Sequence, residues 1–116
     1  MSAKFTVMKM LRVVEEFKQL DNDIQTDTIQ VFLLIAANAG ISSREILDAT
    51  GISQSSVSRH LAVLSEWNWK GGPGLGLCET LEDPTNRRSK RSWLTQKGRQ
   101  FAAKIVRMID TAMDVD

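Results

Sequence analysis

The stretch ISQSSVSRHLAVL, residues 52–64, sets Ser53, Gln54, Ser55, Ser56, Ser58 and Arg59 in one short run beside the chain's single histidine, His60. Farther on, DPTNRRSKR, residues 83–91, carries Arg87, Arg88, Lys90 and Arg91. Hydroxyls, an amide and cationic heads hydrogen-bond to phosphate oxygens and base edges. That is binding chemistry. A Ser-His-acid relay could be assembled only from Ser56 or Ser58 with His60, which share one segment with no strained elbow and no acid at a meaningful spacing. The run GGPGLG, residues 71–76, lacks the Lys-Ser/Thr pair and the following helix of a phosphate-cradling loop. The chain therefore reads as a binding protein and not as an enzyme.

These side chains need regular elements to hold them. Val7, Met10, Val14 and Phe17 fall on one helical face with Lys9, Arg12, Glu16 and Gln19 opposite, so a first helix spans about residues 3–20. Asp21 to Asp27 is polar enough to turn. TIQVFLLIAANAG, residues 28–40, then gives a nearly all-apolar helix, hence a buried one, stopped by Gly40. Ser42 and Glu45 are spaced as a reciprocal cap, which predicts a short helix from Ser43 to Thr50 ending at Gly51. After a tight turn at Gly51 and Ile52, Ser53 caps a fourth helix that runs to about Glu66.

Two short helices joined by a glycine turn form a helix-turn-helix, whose second helix commonly enters the major groove of DNA. On that helix Val57, Leu61 and Leu64 share the core face, which leaves Ser55, Arg59 and Ala62 outward, flanked by Ser56 and Ser58. Small polar side chains permit close approach, and a helix N-terminus favours anions. Ser43, opening the third helix, joins the candidate set. Capping alone would also account for Ser53 and Ser56 with no ligand. His60 lies nearer the core side, where a packed boundary histidine is the plainer reading beside a base-reading or pH-sensing one.

The run KGGPGLG, residues 70–76, reads as a flexible connector. After it, LGLCETLED puts Leu75, Leu77 and Leu81 on one side with period two and Cys78 opposite Leu77, and KRSWLT is a second extended segment. The intervening DPTNRRS supplies turn formers, so a hairpin is expected whose tip carries Arg87 and Arg88, with Lys90 and Arg91 on the returning strand. A hairpin after a helix-turn-helix is a wing. The last helix, from Thr95 to about Met113, has a wide apolar face of Phe101, Ala102, Ile105, Ile109, Ala112 and Met113, with Met108 at its edge. The expected fold is mainly α with a small β-hairpin wing, a winged helix-turn-helix of four helices, two strands and a fifth helix.

Composition agrees with a single domain. At 116 residues, with 42% hydrophobic and 25% charged residues, the chain suits one compact core and is too short for two. The longest apolar stretch, Val31 to Ala37, is far below a membrane span and no signal peptide is legible, so a cytoplasmic protein is expected. One cysteine and one histidine supply neither a disulfide framework nor a zinc ligand set, and no cofactor is implied. The net charge of +1 hides a polarity: Arg87, Arg88, Lys90, Arg91, Lys97, Arg99, Lys104 and Arg107 follow one another with no intervening acid. Such a block suits double-stranded DNA, although a solvated face is the bland alternative. Its place on a hairpin beside a helix-turn-helix favours DNA.

ISQSSVSRHLAVL followed by LEDPTNRRSKRSWLTQKG resembles the MarR-type family of winged helix-turn-helix transcription regulators. The match is carried by Asp83, Pro84, Asn86, Arg87, Arg88, Leu94, Thr95, Lys97 and Gly98, within a likeness covering about residues 25–100. The resemblance implies a homodimeric repressor on an inverted-repeat operator, with the helix after Ser53 in successive major grooves and the wing arginines in the minor groove. Family members commonly pair through the first helix and two C-terminal helices, whereas this chain has room for one. The dimerisation region is thus assigned to the terminal helices, about residues 3–20 and 95–113. Many members release DNA on binding a small aromatic acid or on cysteine oxidation; here Cys78 has no evident thiolate-stabilising neighbour, so it reads as structural. Relief by a protein antirepressor, as in phage or plasmid switches, is the other route, suggested by the reduced architecture. WNWKGGPGLG, residues 67–76, is longer than the usual connection into the wing, with Trp67 and Trp69 as hairpin anchors or a surface for another protein. A winged-helix adaptor that binds protein is the competing class.

Overall fold

In a computed structural model describing residues 3–68 and 72–110, the elements run α1 (Ala3–Leu20), α2 (Thr26–Ala37), β1 (Ile41–Ser42), α3 (Ser43–Thr50), α4 (Gln54–Leu64), β2 (Trp67–Asn68), β3 (Gly72–Pro73), β4 (Cys78–Asp83), β5 (Asn86–Leu94) and α5 (Gln96–Asp110). The five helices and the wing hairpin stand where the sequence puts them. Trp69, Ala112 and Met113 lie outside the described residues.

The apolar α2 is the centre: Val31, Phe32 and Ile35 are buried against Ile46, Val57, Leu61, Leu64 and Leu77. Phe17 of α1, Phe32 of α2 and Phe101 of α5 meet edge to face, with ring centroids 5.1 to 5.9 Å apart, so both terminal helices are joined to the core through one aromatic cluster. α1 and α5 run antiparallel, tied by Lys9 Nζ to the Ile109 carbonyl at 2.8 Å and by Lys104 to Glu16 at 2.7 Å. No helix among the described residues is long and apolar enough to cross a membrane.

The helix-turn-helix closes on local chemistry. Ser42 and Glu45 form the reciprocal cap, with Ser42 Oγ accepting from the Glu45 amide and Glu45 Oε1 from the Ser42 amide, each at 3.0 Å. These bonds hold the Glu45 carboxyl below its ordinary pKa. Gly51 ends α3 in the left-handed region at φ 73°, and Ser53 Oγ caps α4 at the Ser56 amide, 3.2 Å away. α4 stops at Leu64, two residues earlier than the periodicity predicts.

Four expectations are corrected in the β region. The wing is three-stranded, order β1-β5-β4, because the corner after α2 lays Ile41 and Ser42 beside Ser92 and Arg91; two residues are too few to register as a strand in sequence. The supposed flexible connector is ordered over Gly72 to Gly76: Gly74, Leu75, Gly76 and Leu77 donate to the carbonyls of Glu66, Val63, Ser65 and Leu64, at 2.8 to 3.0 Å. Glycine there answers to close approach, since a Cβ on Gly74 would overlap the Ser65 carbonyl oxygen. The period-two reading of Leu75, Leu77 and Leu81 fails: Leu77 precedes the strand and is held inward by Leu64, Cys78 is also buried, and Leu81 faces solvent. Finally, the hairpin turns at Pro84 and Thr85, and Arg87 and Arg88 lie at the start of β5 rather than at the tip. Asp83 pairs with Asn86 but Glu82 with Lys90, so Arg87, Arg88 and Ser89 form an irregularity that the shorter partner strand leaves unmatched.

Candidate nucleic-acid interface

Ser53, Gln54, Ser55, Ser58 and Arg59 stand exposed on α4, while Val57 and His60 point into the core. The serines are linked to one another: Ser53 Oγ lies 3.0 Å from Ser56 Oγ and 3.3 Å from Ser55 Oγ, and Arg59 Nη2 donates to Ser56 Oγ at 2.9 Å. This fixes the guanidinium over the first turn, where it adds to the partial positive charge of the helix end. Capping and ligand binding are thus compatible uses of the same hydroxyls.

Across from α4 stands β5. Between them is an open cleft of about 380 Å³ lined by Ser43, Arg44, Leu47, Gln54, Val57, Ser58, Asn86, Arg88, Ser89 and Lys90. Five of the sequence-predicted residues, Ser43, Gln54, Ser58, Arg88 and Lys90, are brought together there, with three cations and no acid on the walls. The cleft suits a polyanion. Ser43 Oγ is buried in the wall with no protein hydrogen-bond partner among the described residues. Arg87 is exposed beside the cleft without lining it, and Ser53, Ser55, Ser56 and Arg59 continue the surface along α4. Arg91 is placed differently, its guanidinium bonded within the protein to Asp83 and to the Gly40 carbonyl at 2.9 Å each. Sequence reasoning missed Arg44, Asn86 and Ser89 as wall residues. Their signal was present only as neighbours of chosen positions, and Arg44 also makes an exposed i,i+4 pair with Asp48, worth little by itself.

His60 is a core residue under this face. Its Nδ1 lies 2.9 Å from Thr28 Oγ1, joining α4 to the start of α2, and its Nε2 is 3.8 Å from Asp27. Burial lowers its pKa, the Asp27 carboxylate opposes that, and the Arg59 charge adds to the lowering. Because the folded state prefers neutral His60, the unfolded chain takes up the proton first; this contribution to stability is present above about pH 6.5 and is lost as pH falls below it. Denaturant midpoints should therefore fall between pH 7.5 and 5.5, and His60→Gln should lessen that fall. An undiminished fall in the variant would assign it to other groups.

Cys78 is buried, and burial pushes its thiol up to about 12. Native protein at pH 8 should resist iodoacetamide, with alkylation appearing only on unfolding. Rapid native alkylation would return Cys78 to the list of sensors.

A helix-turn-helix with a three-stranded wing, opening a basic cleft between α4 and the hairpin, defines a winged-helix protein. A sequence profile of the MarR family matches residues 22–69. The transcriptional repressor CouR, solved bound to a 23-mer DNA duplex, is 30% identical, with a TM-score of 0.62 over 91% of this chain and 70% of that one. The chain belongs to the MarR family of DNA-binding transcriptional regulators, and it is not an enzyme. The same fold is seen in MarR (21% identity, TM-score 0.65, 99% of this chain and 80% of that one) and in the S. aureus MepR-DNA complex (17%, 0.74, 97% and 85%). Among curated proteins no sequence matches.

Proposed function

We propose that this chain acts as a homodimeric repressor that occupies an inverted-repeat operator, with the exposed face of α4 in the major groove and Arg87 and Arg88 beside it on the flanking backbone or minor groove. The observation that carries the reading is the acid-free basic cleft between α4 and β5, continuous with the hydroxyl face of α4. Ser43, Gln54, Ser58, Arg88 and Lys90 would grip the backbone at its edge, and Ser53, Ser55, Ser56 and Arg59 would dock the helix.

The second copy is assigned to the terminal helices. On α1, Val7, Met10 and Val14 are 60%, 64% and 49% exposed although they share the face of buried Phe17, and on α5 Val106 and Ile109 are also open. One domain thus supplies both a core and an uncovered apolar stripe, and a two-fold axis covers both copies of the stripe at once.

The test is selection of bound sequences from a random duplex pool, with the mass of the selected complex read in parallel. An enriched inverted repeat carrying two protomers supports the reading. If six phosphates are neutralised, affinity should fall roughly 10³-fold between 50 and 200 mM salt. No enrichment would turn the winged helix toward the adaptor class and its protein partners.

A further inference from the structure

Arg91 reaches three separate pieces of the fold. It leaves β5 opposite Ser42 of β1 on one side and Leu81 of β4 on the other. Its Nε donates to Asp83 Oδ2 at 2.9 Å, and its Nη1 donates to the Gly40 carbonyl at 2.9 Å while lying 4.0 Å from Glu45 Oε1. Asp83 is itself fastened to the hairpin turn, where its Oδ1 accepts from the amide and the hydroxyl of Thr85 at 2.9 and 2.7 Å. Gly40 is fastened to the wing, its amide donating to the Ser92 carbonyl at 2.9 Å, and Glu45 belongs to the cap of α3. One planar guanidinium thus joins the hairpin turn, the corner after α2 and the entry to the helix-turn-helix. Its donors point in fixed directions, so the contacts set an angle as well as a distance.

We propose that Arg91 is the positioning residue that sets the pitch of the wing against the helix-turn-helix, bridging Asp83 at the hairpin turn and the Gly40 carbonyl at the α2–β1 corner. Its effect on affinity rests on the DNA-binding reading above; the strut itself is a property of the free protein. Arg87, Arg88 and Lys90 lie between the turn that Asp83 anchors and Arg91 itself, so loss of the strut misplaces them together.

Two substitutions separate a strut from a phosphate ligand. Arg91→Lys keeps the charge, which a phosphate contact tolerates, but an ammonium does not reproduce the fork that serves Asp83 and Gly40. Asp83→Asn removes an anion from a surface facing DNA, so charge alone predicts tighter binding, whereas the strut predicts weaker binding. Each variant should bind the selected operator about tenfold more weakly, and the double variant no more weakly than the worse single, because the pair acts as one unit. In the DNA-free protein, hydrogen exchange should quicken at the Gly40 amide in Arg91→Lys while the amides of α4 keep their protection. Binding by Asp83→Asn as tight as that of the unmodified protein, or an unchanged Gly40 amide, overturns the strut. If the unmodified protein binds no duplex, the DNA reading fails on its own and the exchange measurement still decides the strut.

Discussion

Arg87→Glu/Arg88→Glu should lose operator binding by about 10³-fold at 150 mM salt while keeping the fold. Each neutralised phosphate releases counterions with a slope of about 0.9 in log affinity against log salt, which is about fivefold per contact at that ionic strength. Two lost contacts give roughly 30-fold, and two carboxylates set against the same phosphates oppose binding by a similar factor. The fold should survive because both side chains are exposed and Arg88 gives its main-chain amide, not its guanidinium, to Asn86 Oδ1 at 3.2 Å. Binding is measured by titration of the labelled operator and folding by thermal melts. A variant that melts normally and binds within tenfold of the parent would place the wing away from the DNA.

Phe32→Ala carries the largest expected effect on stability. The ring is almost fully buried, 5.9 Å from that of Phe17 and 5.7 Å from that of Phe101, so its removal opens a void where α1, α2 and α5 converge. Truncations of this kind cost about 3–5 kcal/mol, a large part of the 5–15 kcal/mol that holds a typical domain. The melting temperature should fall on the order of 15 °C or more for a chain of this size. Phe32→Leu keeps most of the volume and should lose much less. Because the cluster also seats the terminal helices, Phe32→Ala should, on the dimer proposed above, weaken self-association as well as folding. A shift of a degree or two would mean that the three rings contribute little beyond filling space.

Much of this architecture was legible in the residues. Ser42 with Glu45, Gly51 and Ser53 specify their caps and turn through local hydrogen bonds, so the helix-turn-helix could be bounded closely without tertiary information. The α1 pattern was readable, but its meaning was not. Phe17 and Val14 share a face by periodicity, yet one is in the core and the other is open, because periodicity identifies an apolar stripe without saying whether the same chain covers it. The β region was harder because its partners are distant. Leu77 is set inward by the Leu64 carbonyl, and Ile41 and Ser42 become a strand only because β5 lies beside them. The cleft was half legible: composition and order mark its cations, but which of them face it depends on the irregularity at Arg87 to Ser89 and on the acid that holds Arg91.

The backbone bonds from Gly74 to Leu77 back onto the end of α4 bear on how this protein can change over time. They make α4 and the base of the wing one casting, so on the binding mode proposed above the offset along the duplex between helix and hairpin is inherited with the scaffold. New operators are then reached by exchanging side chains on the two outer faces. Insertions between residues 66 and 77 would shift the frame in which both faces are read, and lineages carrying them should abandon old sites outright instead of drifting away from them base by base.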